Sequence, residues 1–514
     1  MYRLAPSRAL ARHSRFLAIL VLACAMVSAA ACRREMSEVA YDGPWNLVLI
    51  TFDTTRADRV SYAGHFRSTS PNLDALAAEG VAFANAYSVS SWTAPSHASI
   101  LSGLYPSEHG CHADALAGEE RPLPIREDVR LISEHLSDVG YECAGFTGGP
   151  FLDAAFGFSR GFSVWDDDLP DRGYRDAHEV NRAAFEWLRE RKRADPFLLF
   201  LNYFDPHGPY RPNPDIDYPF EADESPEGAG RTVLGFSPTF IDRADEALEP
   251  TDREVEAILD LYDQEIYAAD AALADLLAEL EERGIRDRTI LVVVGDHGEA
   301  FGERIRDEPV WGHGADPYES QCRVPLVIVH PGRESSSEPR TEGTQGARSL
   351  REERVSSIDL AATLLDAAEI EHEFPGRSLF AENPGSMAAR HPVVAERYFP
   401  GHRAVGVWSG DYKLLSHTWP DREGSYERLS DLGIGGEERL FEPLKHGWRP
   451  EGARSAEVNE ALDAVTRIRE EFAKYVAERP GLAGDFRAVE EVGLDSGLRD
   501  RLRALGYSVG ETGR

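Results

Sequence analysis

Five stretches of the chain are apolar almost without interruption and rich in β-branched residues: Asn46–Phe52, Tyr141–Phe146, Phe197–Tyr203, Thr289–Val294 and Val324–Val329. Runs of this length without polar alternation predict strands covered on both faces, as in a parallel sheet between helices. Between them, apolar positions recur at helical spacing. Helices are predicted over Asn72–Glu79 (stopped by Gly80), Val129–Val139, Ala177–Arg191 and, longest, Asp252–Arg283. The last opens with Thr251-x-x-Glu254, a capping-box pattern, and closes at Gly284. Strands alternating with helices predict an α/β fold: a large, mostly parallel sheet flanked by helices.

Two segments break the pattern. Arg211–Pro250 is rich in Pro, Asp and Glu and reads as a variable insertion beside the site. Gly332–Glu353 reads as a solvated surface loop. Near residue 385 the texture changes. Val405–Trp408 and Tyr412–Ser416 flank Ser409-Gly410-Asp411, a predicted hairpin, and helical patterns follow over Ala456–Val476 and Leu498–Leu505. The expected organisation is an α/β domain over 41–385 and a smaller C-terminal α+β domain over 386–514.

The N-terminus has the pattern of an export signal. Arg3, Arg8, Arg12 and Arg15 precede an apolar run from Phe16 to Ala31, which is short for a membrane span. Ala29-Ala30-Ala31-Cys32 resembles a lipoprotein cleavage site, so residues 1–31 are expected to be removed and Cys32 lipidated. The expected location is the periplasm or cell envelope, with attachment to the membrane through the Cys32 lipid. Losing four arginines and no acid takes the net charge from −34 to −38. So large an acid excess argues against nucleic acid as a partner. Only Lys192, Lys413, Lys445 and Lys474 are lysines, so an anionic substrate must find its positive charge on a metal ion, His or Arg. Cys111, Cys143 and Cys322 are too few for a disulfide framework, and His109, Cys111 and His112 read as a loop rather than a metal site.

Three predicted strands end in residues that bind metals. Asn46–Phe52 runs into Asp53, Thr289–Val294 into Gly295-Asp296-His297-Gly298, and Phe197–Tyr203 into Asp205-Pro206-His207. Ligands of open α/β sheets bind at the carboxyl ends of strands. A fourth feature is Thr93-Ala-Pro-Ser-His97, with Pro95 placed for a first helical turn and Gly103 for its end. Thr93 at a helix N-terminus reads either as an N-cap or as a nucleophile whose hydroxyl a metal activates. His97, four residues on, lies on the same helix face and is expected to orient that hydroxyl or hold a substrate oxygen.

Taken in order, these motifs resemble the sulfatase family of the alkaline phosphatase superfamily. The matching text is Asn46 to Asp53 with Arg56 and Asp58, Ser70 to Phe83, Thr93 to Gly103, His207-Gly-Pro-Tyr210, Gly295-Asp-His-Gly-Glu299 and Tyr318 to Leu326. The resemblance implies that Asp53, Thr93, Asp296 and His297 hold a metal and that Thr93 is the nucleophile. It places His207 at the transferred group or the leaving oxygen, and His313 near a substrate-binding Lys position. The departures are informative. Sulfatases carry a Cys or Ser that becomes formylglycine; Thr93 cannot, so no formylglycine is expected. His97 replaces an Arg. Gly145-Phe-Thr-Gly-Gly149 replaces a segment carrying Lys and His, and Thr54 replaces a second carboxylate. Arg56 and Asp58 are read as a structural pair.

Three oxygens and one imidazole favour a single zinc or manganese ion over calcium. This donor set resembles that of phosphoethanolamine transferases and Thr-type phosphodiesterases in the same superfamily. The expected function is hydrolysis of a small-molecule or envelope sulfate or phosphate ester. The alternatives are a phosphodiesterase or phosphonate ester hydrolase, an envelope phosphoryl-group transferase and an inactive binding protein.

Overall fold

Alternate residues of the strand Asn46–Phe52 (β1) serve opposite faces of a sheet. Leu47 and Leu49 join one apolar core, while Val48, Ile50 and Phe52 join another. All seven residues of β1 are buried, and the same holds for Phe197–Tyr203 (β5) and Thr289–Gly295 (β6). The computed structural model describes residues 43–504 apart from 115–120, 192–194, 221–250, 306–307, 315, 334–349, 381–391, 400–401, 411, 419–424, 432–438, 442, 445–446, 449–454 and 480–495. The predicted signal segment and Cys32, most of the insertion within Arg211–Pro250 and the boundary at 386 lie outside the described residues.

The main sheet adds Val81–Tyr87 (β2), Glu142–Phe146 (β3), Val164–Asp166 (β4), Arg323–Val324 (β7), Leu326–Val329 (β8) and Leu350–Ser356 (β9). Its order is β7-β2-β8-β6-β1-β5-β3-β4, with β9 also paired to β2. Parallel ladders join β1 to β5 and β6, β3 to β4 and β5, and β9 to β2. Two expectations are corrected here. Val324–Val329 was grouped with the parallel strands, but β7 and β8 run antiparallel to β2, and β8 also to β6. Pro325, which has no N–H to donate, separates the two pieces. The stretch Leu350–Glu353, assigned to a surface loop, is part of β9. It holds four charged residues in a row, Arg351 to Arg354, so a search for continuous apolar runs passes over it.

Helices cover both faces. Thr93–Ser102 (α2), Ile132–Asp138 (α3) and Asp359–Ala367 (α6) pack on one side, and Pro71–Glu79 (α1), Ala177–Glu190 (α4) and Asp252–Glu282 (α5) on the other. The Thr251 hydroxyl accepts the Glu254 N–H and the Glu254 carboxylate accepts the Thr251 N–H, so α5 starts where its capping box predicts. We expect Thr251→Ala to lower stability by about 1 kcal/mol in urea denaturation.

Beyond residue 391 lies an antiparallel sheet of Val393–Phe399 (β10), His402–Ser409 (β11), Tyr412–Thr418 (β12), Ser425–Asp431 (β13) and Arg439–Phe441 (β14). The helix Ser455–Glu478 (α7) buries Val465, Ile468 and Tyr475 against Val394, Val405, Val407 and Leu414. Val89, Tyr105 and Ile358, from the first part of the chain, share that core.

Candidate active site

β1 is hydrogen-bonded to β6 on one side and β5 on the other, with Phe52 level with both Gly295 and Tyr203. The residues just past these positions therefore meet at one edge of the sheet. Asp53 follows β1, Asp296 and His297 follow β6, and His207 follows β5 by a short turn. Gly298 lets the β6 turn close: a Cβ there would stand 2.1 Å from the Ser320 carbonyl oxygen.

Asp53, Asp296 and His297 are fully buried, and one ligand atom from each lies within 4.8 Å of the others. The His297 ring engages the Gly298 carbonyl through Nδ1 (2.9 Å), which leaves Nε2 as a lone pair facing Thr93 Oγ1 at 3.1 Å. The same Nε2 stands 3.4 Å from Asp296 Oδ2 and 3.9 Å from Asp53 Oδ1. Thr93 is the first residue of α2, and Trp92, in extended conformation, is the N-cap. The Thr93 side chain thus turns into the site rather than capping its own helix.

Burial pushes both carboxyls up to about 8, and for Asp53 the charge of Asp296 adds to it. Asp296 Oδ1 accepts two backbone N–H groups, from Thr54 (2.9 Å) and His297 (2.7 Å). Its Oδ2 is buried without a hydrogen-bond partner. A buried carboxylate oxygen with no donor, facing a bare imidazole nitrogen, a hydroxyl and a second carboxylate, fits a divalent cation.

The other expected residues divide. His207 stacks on Phe204 with ring centroids 4.3 Å apart, and its Nδ1 meets the Gly208 carbonyl. His313 lies 4.9 Å from His207 and 4.7 Å from His297, ring to ring, with Nδ1 3.2 Å from both Glu299 oxygens. Burial holds all three imidazoles below the usual histidine range, His207 at about 3. Neutral rings therefore surround the site.

His97 is corrected. It does not orient the Thr93 hydroxyl: its Nδ1 donates to the Thr93 backbone carbonyl (2.9 Å) and its Nε2 accepts from Thr51 Oγ1 (2.9 Å). It ties α2 to β1 and is a positioning residue. We expect His97→Ala to lower stability by about 1–3 kcal/mol in urea denaturation, because Thr51 loses a buried partner. Asp205 lies away from the cluster and accepts the Ala177 N–H at the start of α4. Arg56 and Asp58 form the expected structural pair, at 2.8 and 2.7 Å. The His109 ring is engaged by Ser99 and the Cys111 N–H, and Cys111, Cys143 and Cys322 are buried free thiols.

The sulfatase family model matches residues 45–370. The chain belongs to the sulfatase family. It is an ester hydrolase of that type. It is 24% identical over 517 residues to the uncharacterized sulfatase YidJ of Escherichia coli, covering 88% of this chain and 95% of that protein. It is 27% identical to an arylsulfatase of Clostridium perfringens, over 63% of this chain and 75% of that one. The crystal structure of a phosphonate monoester hydrolase of Agrobacterium radiobacter superposes with a TM-score of 0.60 at 18% identity, covering 84% and 96% of the two chains, and shares the fold.

Three residues of this sulfatase that sequence reasoning left without a role shape its site. Asn202 donates to Asp53 Oδ2 (3.1 Å) and accepts the Gly148 N–H (3.1 Å). A Cβ at Gly148 would stand 2.7 Å from that of Phe204, so this position has no room for a side chain, and its N–H reaches Asp53 by way of Asn202. Glu299 holds His313, and the Tyr210 hydroxyl donates to it. Thr54 bridges the two carboxylates. For Asn202 the available signal was a polar residue in an otherwise apolar strand; Glu299 stood inside a recognised motif.

Proposed function

We propose that this sulfatase hydrolyses a singly charged ester by nucleophilic attack of Thr93. The substrate class is a sulfate ester, a phosphodiester or a phosphonate monoester. The observation that carries the reading is the Thr93 hydroxyl, buried and 3.1 Å from His297 Nε2, where the carboxylates of Asp53 and Asp296 converge. Asp53, Thr93, Asp296 and His297 would hold one divalent cation, zinc or manganese by their donor types. Such a cation supplies positive charge at the reacting centre and lowers the pKa of a bound hydroxyl.

In the first step the Thr93 oxygen bonds to sulfur or phosphorus as the bond to the leaving oxygen breaks. The hydroxyl proton ends on that leaving oxygen by way of His207 or His313. In the second step water attacks the Thr93 ester and restores the hydroxyl. The imidazoles are neutral and the Gly145–Gly149 segment carries no cationic side chain, which supports a monoanionic group over a phosphate monoester dianion. A lipid on Cys32, as the sequence pattern predicts, would hold the enzyme at the membrane to work on envelope or periplasmic esters; Cys32→Ser should move it from the membrane to the soluble fraction.

The test is one rate comparison with zinc- or manganese-loaded protein on an aryl sulfate, an aryl phosphodiester and an aryl phosphate monoester. Turnover of either monoanion well above the dianion supports the reading; a preference for the dianion overturns it. Independence from formylglycine is checked by mass: the peptide carrying Thr93 should weigh what the sequence dictates, and expression in a host without the formylglycine-generating enzyme should leave activity unchanged.

A further inference from the structure

We infer that Thr54 decides which cation the site accepts, by limiting how many carboxylate oxygens can reach it. This rests on the metal site proposed above. Thr54 has a φ of 55°, in the left-handed region that a β-branched residue enters only under constraint. The constraints are visible. Its carbonyl accepts the Tyr262 hydroxyl from α5 at 2.7 Å, its N–H donates to Asp296 Oδ1 at 2.9 Å, and its hydroxyl donates to Asp53 Oδ1 at 2.9 Å.

These bonds restrict both carboxylates. Asp296 Oδ1 accepts from Thr54 and His297 together, which occupies both of its lone pairs and leaves Oδ2 as the one oxygen for a cation. Asp53 is held from two sides, by the Thr54 hydroxyl on Oδ1 and by Asn202 on Oδ2, which takes one lone pair of each oxygen and fixes the plane in which the carboxylate can meet a cation. Asp296, His297 and Thr93 then offer one atom each, beside an Asp53 carboxylate whose orientation is fixed. Four compact donors suit zinc, whereas calcium takes six to eight oxygens and often bidentate carboxylates. The Thr54 N–H helps limit Asp296 to one free oxygen, and the Thr54 hydroxyl fixes the orientation of Asp53.

The experiment uses full-length protein stripped by chelation and titrated calorimetrically with zinc, manganese and calcium chloride. Three variants separate the contributions. Thr54→Ser keeps the hydroxyl. Thr54→Gly keeps the N–H, removes the hydroxyl and relaxes the backbone. Thr54→Asp adds a carboxylate at a position where Asp tolerates the left-handed conformation. We expect the ratio of the calcium Kd to the zinc Kd to stay at the wild-type value in Thr54→Ser. In Thr54→Gly and Thr54→Asp it should fall by about tenfold or more. An unchanged ratio in both Gly and Asp variants overturns the inference, as does a fall in Thr54→Ser equal to that in Thr54→Gly. Wild-type protein that binds none of the three ions would instead overturn the metal site itself, and the role of Thr54 with it.

Discussion

Replacing Thr93 with Ala should reduce kcat/KM by about 10,000-fold or more while leaving the fold intact. The size of the effect follows from what the hydroxyl does. It is the attacking atom of the proposed mechanism, and no other hydroxyl is hydrogen-bonded to His297 Nε2 among the described residues. The fold should survive because Thr93 does not cap α2 and Ala is the best helix former, so the helix start at Trp92 is undisturbed. Thr93→Ser should keep much of the activity, since it retains the oxygen and loses only the stiff β-branched rotamer. Acid quenching of the wild type during turnover should trap a sulfated or phosphorylated peptide containing residue 93, absent from Thr93→Ala. An Ala variant within tenfold of wild type would remove Thr93 from the mechanism. His207 or His313 would then have to be tested as the nucleophile.

Much of this site was legible because its parts stand at strand ends that announce themselves. β1, β5 and β6 are continuous apolar runs, and each stops at a polar residue facing the same edge. Asp53, Asp296, His297 and His207 follow such strand ends, Thr93 was read from a helix start and His313 from the resemblance to the sulfatase family, and the structure gathers all six. What the residues alone did not disclose was direction. His97 shares a helix face with Thr93, yet an i,i+4 imidazole can reach the backbone carbonyl of the preceding turn as readily as the side chain, and here it does. Asp205 ends a strand like Asp53, but the start of α4 lies beside it and takes its carboxylate. Asn202, and Thr54 through its N–H, act through hydrogen bonds to residues far away in sequence, which no local pattern records. The sheet was readable where strands are covered on both faces. It was misread at β7 and β8, where apolar content gave no direction, and at β9, whose four consecutive charged residues read as loop.

Removing the metal should abolish activity and lower the melting temperature, by an amount that grows with pH. In the cation-free protein, burial raises the Asp53 and Asp296 carboxyls to about 8 from an ordinary value of 3.8. Between those values the folded chain holds protons that the unfolded chain has released. Stability then falls as pH rises, because the unfolded state binds fewer protons than the native state. This is the reverse of an ion-paired aspartate, whose lowered pKa makes stability fall towards acid. A bound cation offsets the two buried charges and keeps both carboxylates ionised, so the loaded protein escapes that loss. At a metal concentration of about 100 times Kd, binding adds about 2.7 kcal/mol. The gap in melting temperature between loaded and chelated protein should therefore be small near pH 5 and widest near pH 8. Asp296→Asn should flatten the pH dependence of the chelated form, because an amide replaces one of the two titrating groups, and should also lose the metal. A gap that is constant from pH 5 to 8, with chelated protein as active as loaded, would show that these carboxylates pair with something other than a cation.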